Sequence, residues 1–310
     1  MEYYRRWLVG ACCCLALTVS SGAAQTKTAP KIALTFDDLP EIDGLAPGMT
    51  RLSIIRSIIH ALQAAHAPTT YGFLNAQLVV DEPELISSLR AWRAAGFLLG
   101  NHTYSHADFN QTTLPAFERE VTRNEPLLRR LMAGEDWRWF RYPYLYEGDT
   151  LAKRNGLRAY LSNRGYRVAQ VTLDFQDYDW NDPYVRCATK RDQRSIAWLK
   201  QMYLDSATEA IRIGRERSRK VYGRDISHVM LLHDGAIEAV MLPQLLELLH
   251  QQGFQLVTLP EAESDPAYAI DPGVALKLGG TLPEQMMEAK GIEDGPFRDT
   301  PVKELDSICR

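Results

Sequence analysis

The sequence predicts an α/β fold, a barrel of parallel strands in which each strand is followed by a helix. Short apolar runs recur along the 310 residues, with longer amphipathic segments between them. Three predicted helices end in a glycine directly before the next strand (Gly96, Gly165 and Gly253), where a left-handed residue can close a helix. Strand, helix, glycine, strand is the order of a parallel sheet with right-handed crossovers. Seven such units predict a (β/α) barrel one unit short of eight.

The predicted strands are the short apolar runs Lys31–Phe36, Thr69–Asn75, Phe97–Asn101, Arg138–Tyr142, Arg167–Asp174, His228–His233 and Phe254–Leu259. The amphipathic segments between them predict helices over residues 50–65, 83–95, 114–133, 149–163, 192–222 and 238–252.

The composition is that of a folded globular protein. The chain is 45% hydrophobic and 24% charged, which excludes a disordered or fibrous protein. Lys and Arg together number 35 against 39 Asp and Glu, so the formal net charge is −4. Because there is no excess of positive charge to hold a phosphate backbone, nucleic acid is excluded as the main partner.

Residues 1–25 have the order of a secretory signal peptide. Arg5 and Arg6 are followed by an almost wholly apolar run from Trp7 to Val19 and by small residues, which predicts cleavage near Ala24. The run is too short for a stable membrane span, which needs about 20 residues. We therefore expect an exported, periplasmic or extracellular protein. Lipid attachment at Cys12 is the less favoured alternative.

The rest of the chain divides into a predicted catalytic domain over residues 26–264 and a tail over 265–310. Residues 187–225 are longer than a normal crossover and predict a helical insertion, whose basic residues Arg212, Arg215, Arg217 and Lys220 suggest a solvated face. After Pro260 the periodicity fades, which predicts an irregular tail lying against the barrel. Cys187 and Cys309 are interpreted as bystanders rather than as a disulfide framework, although export would let them pair.

The residue types that carry chemistry come at or just after the ends of predicted strands. In a parallel α/β barrel those ends share one face, where the active site is built. Histidines at i and i+4 can point at one ion, and three protein ligands leave positions open for water and substrate. The sequence therefore predicts a metal hydrolase site from Asp37, Asp38, His102, His106, Arg141, Asp174, Asp177 and His233.

The same motifs resemble the polysaccharide deacetylase family (NodB-like, carbohydrate esterase family 4). They are Thr-Phe-Asp-Asp at 35–38, His-Thr-x-x-His at 102–106, Arg-x-Pro-Tyr at 141–144, a paired-Asp segment at 174–177 and Leu-x-His at 231–233. They appear in family order over roughly residues 30–260. The resemblance implies a distorted (β/α)7 barrel and metal-dependent removal of acetyl groups from N-acetylated amino-sugar glycans.

The resemblance also implies a role for each motif residue. Asp37 would be the general base and Arg141 would orient it. Asp38, His102 and His106 would hold one divalent ion, with Zn²⁺ expected and Co²⁺, Ni²⁺ or Mn²⁺ as alternatives. His233 would be the general acid, tuned by Asp177. Tyr144, Asp174, Tyr178 and Trp180 are assigned to oxyanion or substrate binding, the oxyanion by a backbone N–H near Tyr144.

This sequence departs from the family pattern next to the substrate groove. Leu39 and Leu145 stand where the first and third motifs usually have glycine. The fourth motif fits in two registers, beginning at Asp174 or at Gln176, and we prefer Asp174 because it ends a predicted strand. The alternatives are a same-fold hydrolase of a small non-sugar amide and a catalytically silent glycan-binding protein. The sequence separates neither peptidoglycan, chitin-like and exopolysaccharide substrates nor oligomeric states.

Overall fold

The computed structural model describes residues 29–42, 44–295 and 301–310. The predicted signal peptide and Cys12 lie outside these ranges. The strands are β1 Lys31–Leu39, β2 Tyr71–Leu74, β3 Leu98–Asn101, β4 Trp139–Phe140, β5 Arg167–Val168, β6 His228–His233 and β7 Gln255–Leu256. Each lies within or overlaps its predicted run.

The helices are α1 Arg51–Ala64, α2 Ala76–Asp81, α3 Ile86–Ala94, α4 Leu114–Leu131, α5 Leu151–Asn163, α6 Asn181–Lys190, α7 Gln193–Tyr222, α8 Ala236–Gln251, α9 Leu259–Ala262, α10 Leu282–Lys290 and α11 Val302–Ser307. Six helices correspond to the predicted segments (α1, α3, α4, α5, α7 and α8), and the described residues add five further helices (α2, α6, α9, α10 and α11). Gly96, Gly165 and Gly253 have φ values of 87°, 74° and 78°, which confirms the left-handed helix ends.

All seven strands are parallel and form one sheet in the order β5-β4-β3-β2-β1-β6, with β7 paired to β1. The segment that follows β5 in the chain lies beside β6, the strand at the opposite end of the sheet. Thr172 N–H donates to Val229 O (3.0 Å) and Leu231 N–H donates to Leu173 O (3.0 Å), so this segment pairs with β6. The sheet therefore curls on itself, and the prediction of a distorted (β/α)7 barrel is confirmed.

Strand β1 lies between β2 and β6 in the sheet and is buried almost throughout. Ile32, Leu34 and Phe36 pack into the main core, while Ala33 faces a second apolar cluster with Tyr71 and Phe73 inside the sheet's curve. Since β1 is buried on both faces, its sequence is a continuous apolar run instead of an alternating one. This burial fixes the position of the two aspartates at its carboxyl end.

The predicted helical insertion is formed by α6 and the 30-residue α7. Arg212 on α7 pairs with Glu209 (2.7 Å) and Glu216 (2.9 Å) and is exposed, in agreement with a solvated basic face. Arg217 differs, because it pairs with Glu284 (2.7 Å) of α10 and with Asp294. Arg217 therefore helps to hold the C-terminal segment, as do Arg186 and Lys190 of α6, which donate to backbone carbonyls of residues 305–310.

Two expectations for the C-terminal segment are wrong. Cys187 and Cys309 form a disulfide across 122 positions of sequence, so they are not bystanders. The segment 265–310 is also less irregular than predicted, since it contains α10 and α11. Leu282, Met286 and Met287 of α10 are buried against Val221 of α7, and this tertiary packing stabilises a helix too short for its periodicity to be visible in the sequence. The division of the chain at residue 264 stays a prediction.

Within the part of the chain that the structure describes, we find no helix with both the length and the apolar character that a bilayer crossing requires.

Candidate metal centre and active site

The predicted site residues meet at the carboxyl ends of the parallel strands. Asp37 and Asp38 lie in the last three residues of β1, His102 follows β3, Arg141 follows β4 and His233 ends β6. The parallel register places Asp37 directly beside His233. These strand ends open into a cleft of about 1620 Å³, whose walls include His106, Tyr144 and residues of α7 and α10.

Asp38, His102 and His106 converge on one point. The Asp38 Oδ1 atom lies 3.3 Å from His102 Nε2 and 3.2 Å from His106 Nε2, and one ligand atom of each residue lies within 4.8 Å of the others. Asp38 Oδ1 is buried and accepts no hydrogen bond. A buried carboxylate oxygen that accepts no hydrogen bond can instead bind a cation. Two imidazoles and one carboxylate are a common set of ligands for zinc. These residues therefore fit a divalent ion.

The protonation states also suit a metal ion. Burial alone would raise the pKa of Asp38, but His102, His106 and His233 around it lower the pKa well below the ordinary value. Burial lowers the pKa of His106 to about 4, against the opposing effect of Asp38. Near neutral pH the site thus presents an ionised carboxylate and a neutral imidazole, which are the forms that bind metals.

The orientation of His102 is set by a backbone group. Its Nδ1 atom lies 2.9 Å from the carbonyl oxygen of Arg141. Because a carbonyl only accepts, we assign the proton to Nδ1, which leaves the lone pair of Nε2 facing Asp38. The ring of His106 packs edge-on against the rings of His102 (4.9 Å between centroids) and Tyr144 (4.4 Å).

Arg141 holds Asp37 beside the three ligands. Both residues are buried, and the Arg141 Nη1 atom lies 3.3 Å from each carboxylate oxygen of Asp37. The guanidinium is itself fixed, since Nε donates to Ala169 O (2.7 Å) and Nη2 donates to Thr35 Oγ1 (3.1 Å). Asp37 Oδ2 lies 3.7 Å from His102 Nε2. A second carboxylate is therefore held in one orientation next to the ligand atoms.

His233 is paired with Asp177, which belongs to the 3-10 turn Asp177–Trp180. The Asp177 Oδ2 atom accepts from the backbone N–H of His233 (2.7 Å), and Oδ1 lies 2.8 Å from His233 Nδ1. Burial alone would lower the pKa of His233, but Asp177, with help from Asp38 and Asp37, raises it to about 10. The Nε2 atom lies 3.8 Å from Asp38 Oδ2, so a protonated imidazole faces the ligand group.

The residues predicted to bind substrate fall into two groups. Tyr144 and Tyr178 are 53% and 43% exposed, line the cleft, and pack edge-on against His106 and His233 respectively. Asp174 also lines the cleft, and burial raises its pKa to about 6. Trp180 is different and requires a correction. It has no exposed surface and packs against Tyr203 beneath the cleft, so it has no face to offer a sugar ring.

Two features of the site were missed in the sequence. Asn75 follows β2 and lines the cleft, and its position at a strand end was the available signal. The C-terminal segment also lines the cleft, through residues such as Thr281 and Glu284. No sequence signal indicated this, because the segment reaches the barrel mouth only through tertiary contacts.

The backbone at the site adopts conformations that side chains rarely take. Asp38, Thr103, His106 and Tyr144 have φ values of 63°, 67°, 53° and 58°. Leu145, which stands where the family usually has glycine, has a φ of 55°. Non-glycine residues in this region are strained and cluster at functional sites, where the surrounding structure holds them.

The known proteins that this chain resembles in sequence include chitin and peptidoglycan deacetylases. The model of the polysaccharide deacetylase family matches residues 24–169. Among curated relatives, a chitin deacetylase of Arthroderma benhamiae is 24% identical over 76% of this chain and 52% of its own length. A chitin deacetylase of Colletotrichum lindemuthianum is 26% identical over 76% of this chain and 79% of its own length. A peptidoglycan-N-acetylglucosamine deacetylase of Bacillus cereus is 25% identical over 48% of this chain and 46% of its own length. The chain thus spans about half of two of these relatives.

Solved structures share the fold. A peptidoglycan N-acetylglucosamine deacetylase superposes with a TM-score of 0.50 at 20% identity, covering 76% of this chain and 88% of that one. A mutant of a CE4 family pseudoenzyme superposes with a TM-score of 0.52 at 14% identity, covering 76% and 67%. At these identities the likeness is one of fold.

Proposed function

We propose that this chain is a metal-dependent hydrolase of the polysaccharide deacetylase family that removes N-acetyl groups from amino-sugar glycans, a proposal supported by the family-model match to residues 24–169 and by the similarity to chitin deacetylases. The observation that carries the proposal is the convergence of Asp38, His102 and His106 on one buried carboxylate oxygen that no hydrogen bond satisfies. Asp37 and His233 each lie within 4 Å of an atom of this group. This proximity supports Asp37 as the base and His233 as the acid of the proposed hydrolase.

The proposed ligands would hold one divalent ion, for which we favour Zn²⁺ over Co²⁺, Ni²⁺ or Mn²⁺. When bound, such an ion supplies positive charge that polarises the amide carbonyl and promotes ionisation of water. The ligand set offers one carboxylate against two neutral imidazoles, so its net charge of −1 leaves the ion with a positive charge to exert.

The protein's own groups would move the protons. Asp37, held by Arg141, accepts a proton from the attacking water, whose oxygen forms a bond to the acetyl carbon. The oxyanion that develops would lie near the backbone N–H of Tyr144. His233 then donates its proton to the nitrogen as the carbon–nitrogen bond breaks, which releases acetate and a free amine. Asp177 keeps that proton on His233 until it is needed.

The proposal places the protein outside the cytoplasm. The predicted signal peptide at residues 1–25 supports export. The Cys187–Cys309 disulfide supports it independently, because such bonds persist mainly in oxidising compartments. We therefore propose a periplasmic or extracellular enzyme that acts on N-acetylated glycan.

The test combines metal analysis with acetate release. The purified protein would be assayed for bound metals and for acetate released from chitin oligomers, peptidoglycan and an N-acetylated exopolysaccharide, with Asp37→Asn as the inactive control. We expect one divalent ion per chain and acetate release from at least one glycan. A protein that binds these glycans and releases no acetate would be a silent binding protein. Acetate release from small amides alone would instead favour the non-sugar hydrolase.

A further inference from the structure

Asn75 connects the two chain segments that carry ligands of the proposed metal site. It lies directly after β2 and is 2% exposed. Its backbone N–H donates to the carbonyl of Leu39 (3.0 Å), the residue after Asp38. Its side-chain Nδ2 donates to the carbonyls of His102 (2.6 Å) and Thr103 (3.1 Å). One residue thus bonds to both segments at points adjacent to ligands.

These segments need such support because their backbones are strained. Asp38 and Thr103 both have positive φ values, as described above. The carbonyls of His102 and Thr103 lie beyond the end of β3, where the strand ladder no longer offers them a partner. Buried carbonyls require a hydrogen bond, and the Asn75 amide supplies it. The side chain therefore holds the segment in the conformation that directs His102 at Asp38.

A second layer of buried amides fixes Asn75 itself. Asn124 donates to Leu74 O (2.7 Å) and accepts from Ala76 N–H (2.8 Å), so it binds the residues on both sides of Asn75. Asn124 also donates to Asn101 Oδ1 (2.9 Å), which accepts from the N–H of Thr103 (2.9 Å). Asn101 and Asn124 are both fully buried. The hydrogen bonds of Asn124 to Leu74 and Ala76 thus fix the backbone on both sides of Asn75.

We propose that Asn75 is a positioning residue that sets the geometry between Asp38 and His102 and thereby the affinity of the site for a divalent ion. The inference rests on the proposed function, since it concerns the same site. It goes beyond that function by assigning part of the metal affinity to a residue that is not a ligand. Partners that orient ligands typically change metal affinity by about 10–100-fold when they are removed.

The test measures metal binding by the full chain directly. Zn²⁺ and, separately, Co²⁺ would be titrated into the metal-free protein in competition with a chelating dye. Asn75→Leu keeps the approximate size of the side chain and removes its hydrogen bonds to His102 O and Thr103 O, while the backbone N–H bond to Leu39 is kept. Asn75→Ser leaves one shorter side-chain donor. Gln285→Ala is the matched control, because Gln285 is also a buried amide that donates to a carbonyl (Gly280 O, 3.1 Å), outside the ligand segments.

We expect the dissociation constant to rise about 10–100-fold in Asn75→Leu, by less in Asn75→Ser, and not at all in Gln285→Ala. Wild-type affinity in Asn75→Leu would overturn the inference, as would a raised KM with unchanged metal affinity, which would indicate a substrate contact. If neither Asn75 variant folds where Gln285→Ala does, Asn75 determines the fold instead, and the inference is wrong. A wild-type chain that binds neither ion would refute the proposed function itself.

Discussion

Replacing Asp177 with asparagine should move the alkaline limb of the pH–activity profile to lower pH. Asp177 contacts both the backbone N–H and the ring of His233, and it is the strongest of the carboxylates that raise the pKa of that histidine from 6.5 to about 10. This rise corresponds to about 5 kcal/mol in favour of the protonated ring. The asparagine oxygen can still accept from the backbone, but the negative charge beside the ring is lost.

The sign follows from the proposed role of His233 as the acid. The acid is active while protonated, so activity falls as the pH rises through its pKa. Loss of a close opposite charge lowers a histidine pKa by about 1–3 pH units, and the limb should move down by that amount. A metal ion on the nearby Asp38 would lower the pKa of His233 in both proteins. The wild type and Asp177→Asn must therefore be compared at equal metal loading.

The assay follows kcat/KM for acetate release from one soluble N-acetylated oligomer as a function of pH. Asp179→Asn is the matched control, because it removes the same charge from the same turn without removing the hydrogen bonds to His233. We expect its limb to stay close to that of the wild type. An unchanged limb in an active Asp177→Asn protein would show that the limb does not report His233, and would remove the pH argument for His233 as the acid.

Three further predictions follow from the same geometry. His102→Ala should lose metal and activity together, whereas Asp37→Asn should keep the metal and lose about 10²–10⁴-fold in turnover; equal metal loss in both would reverse the two aspartate roles. Cys309→Ser should lower the free energy of unfolding by about 2–4 kcal/mol in denaturant melts without reductant, and a melt matching the wild type would contradict this. Tyr178→Ala should raise KM, while Trp180→Ala should mainly lower thermal stability; a selective KM effect at Trp180 would restore its substrate role.

The sequence by itself determined the order of elements and the residues at the barrel mouth. Strands and helices are encoded by periodicities over 5–20 residues, and these depend on neighbours in the chain. In a parallel barrel, strand order then brings every carboxyl end to one face. This is why Asp37, Asp38, His102 and His233 could be assigned to one site before their distances were known.

Tertiary structure alone decided what depends on residues far apart in the chain. The pairing of Cys187 with Cys309 and the burial of Trp180 against Tyr203 have no local signature. The hydrogen bonds from Asn75 reach Leu39, 36 positions earlier in the chain, and His102, 27 positions later. The neighbouring residues Asp38 and Thr103 have strained, positive φ values. Such contacts are set by how the packed elements meet. Sequence periodicity specifies which face of an element is apolar, but not which partner covers it.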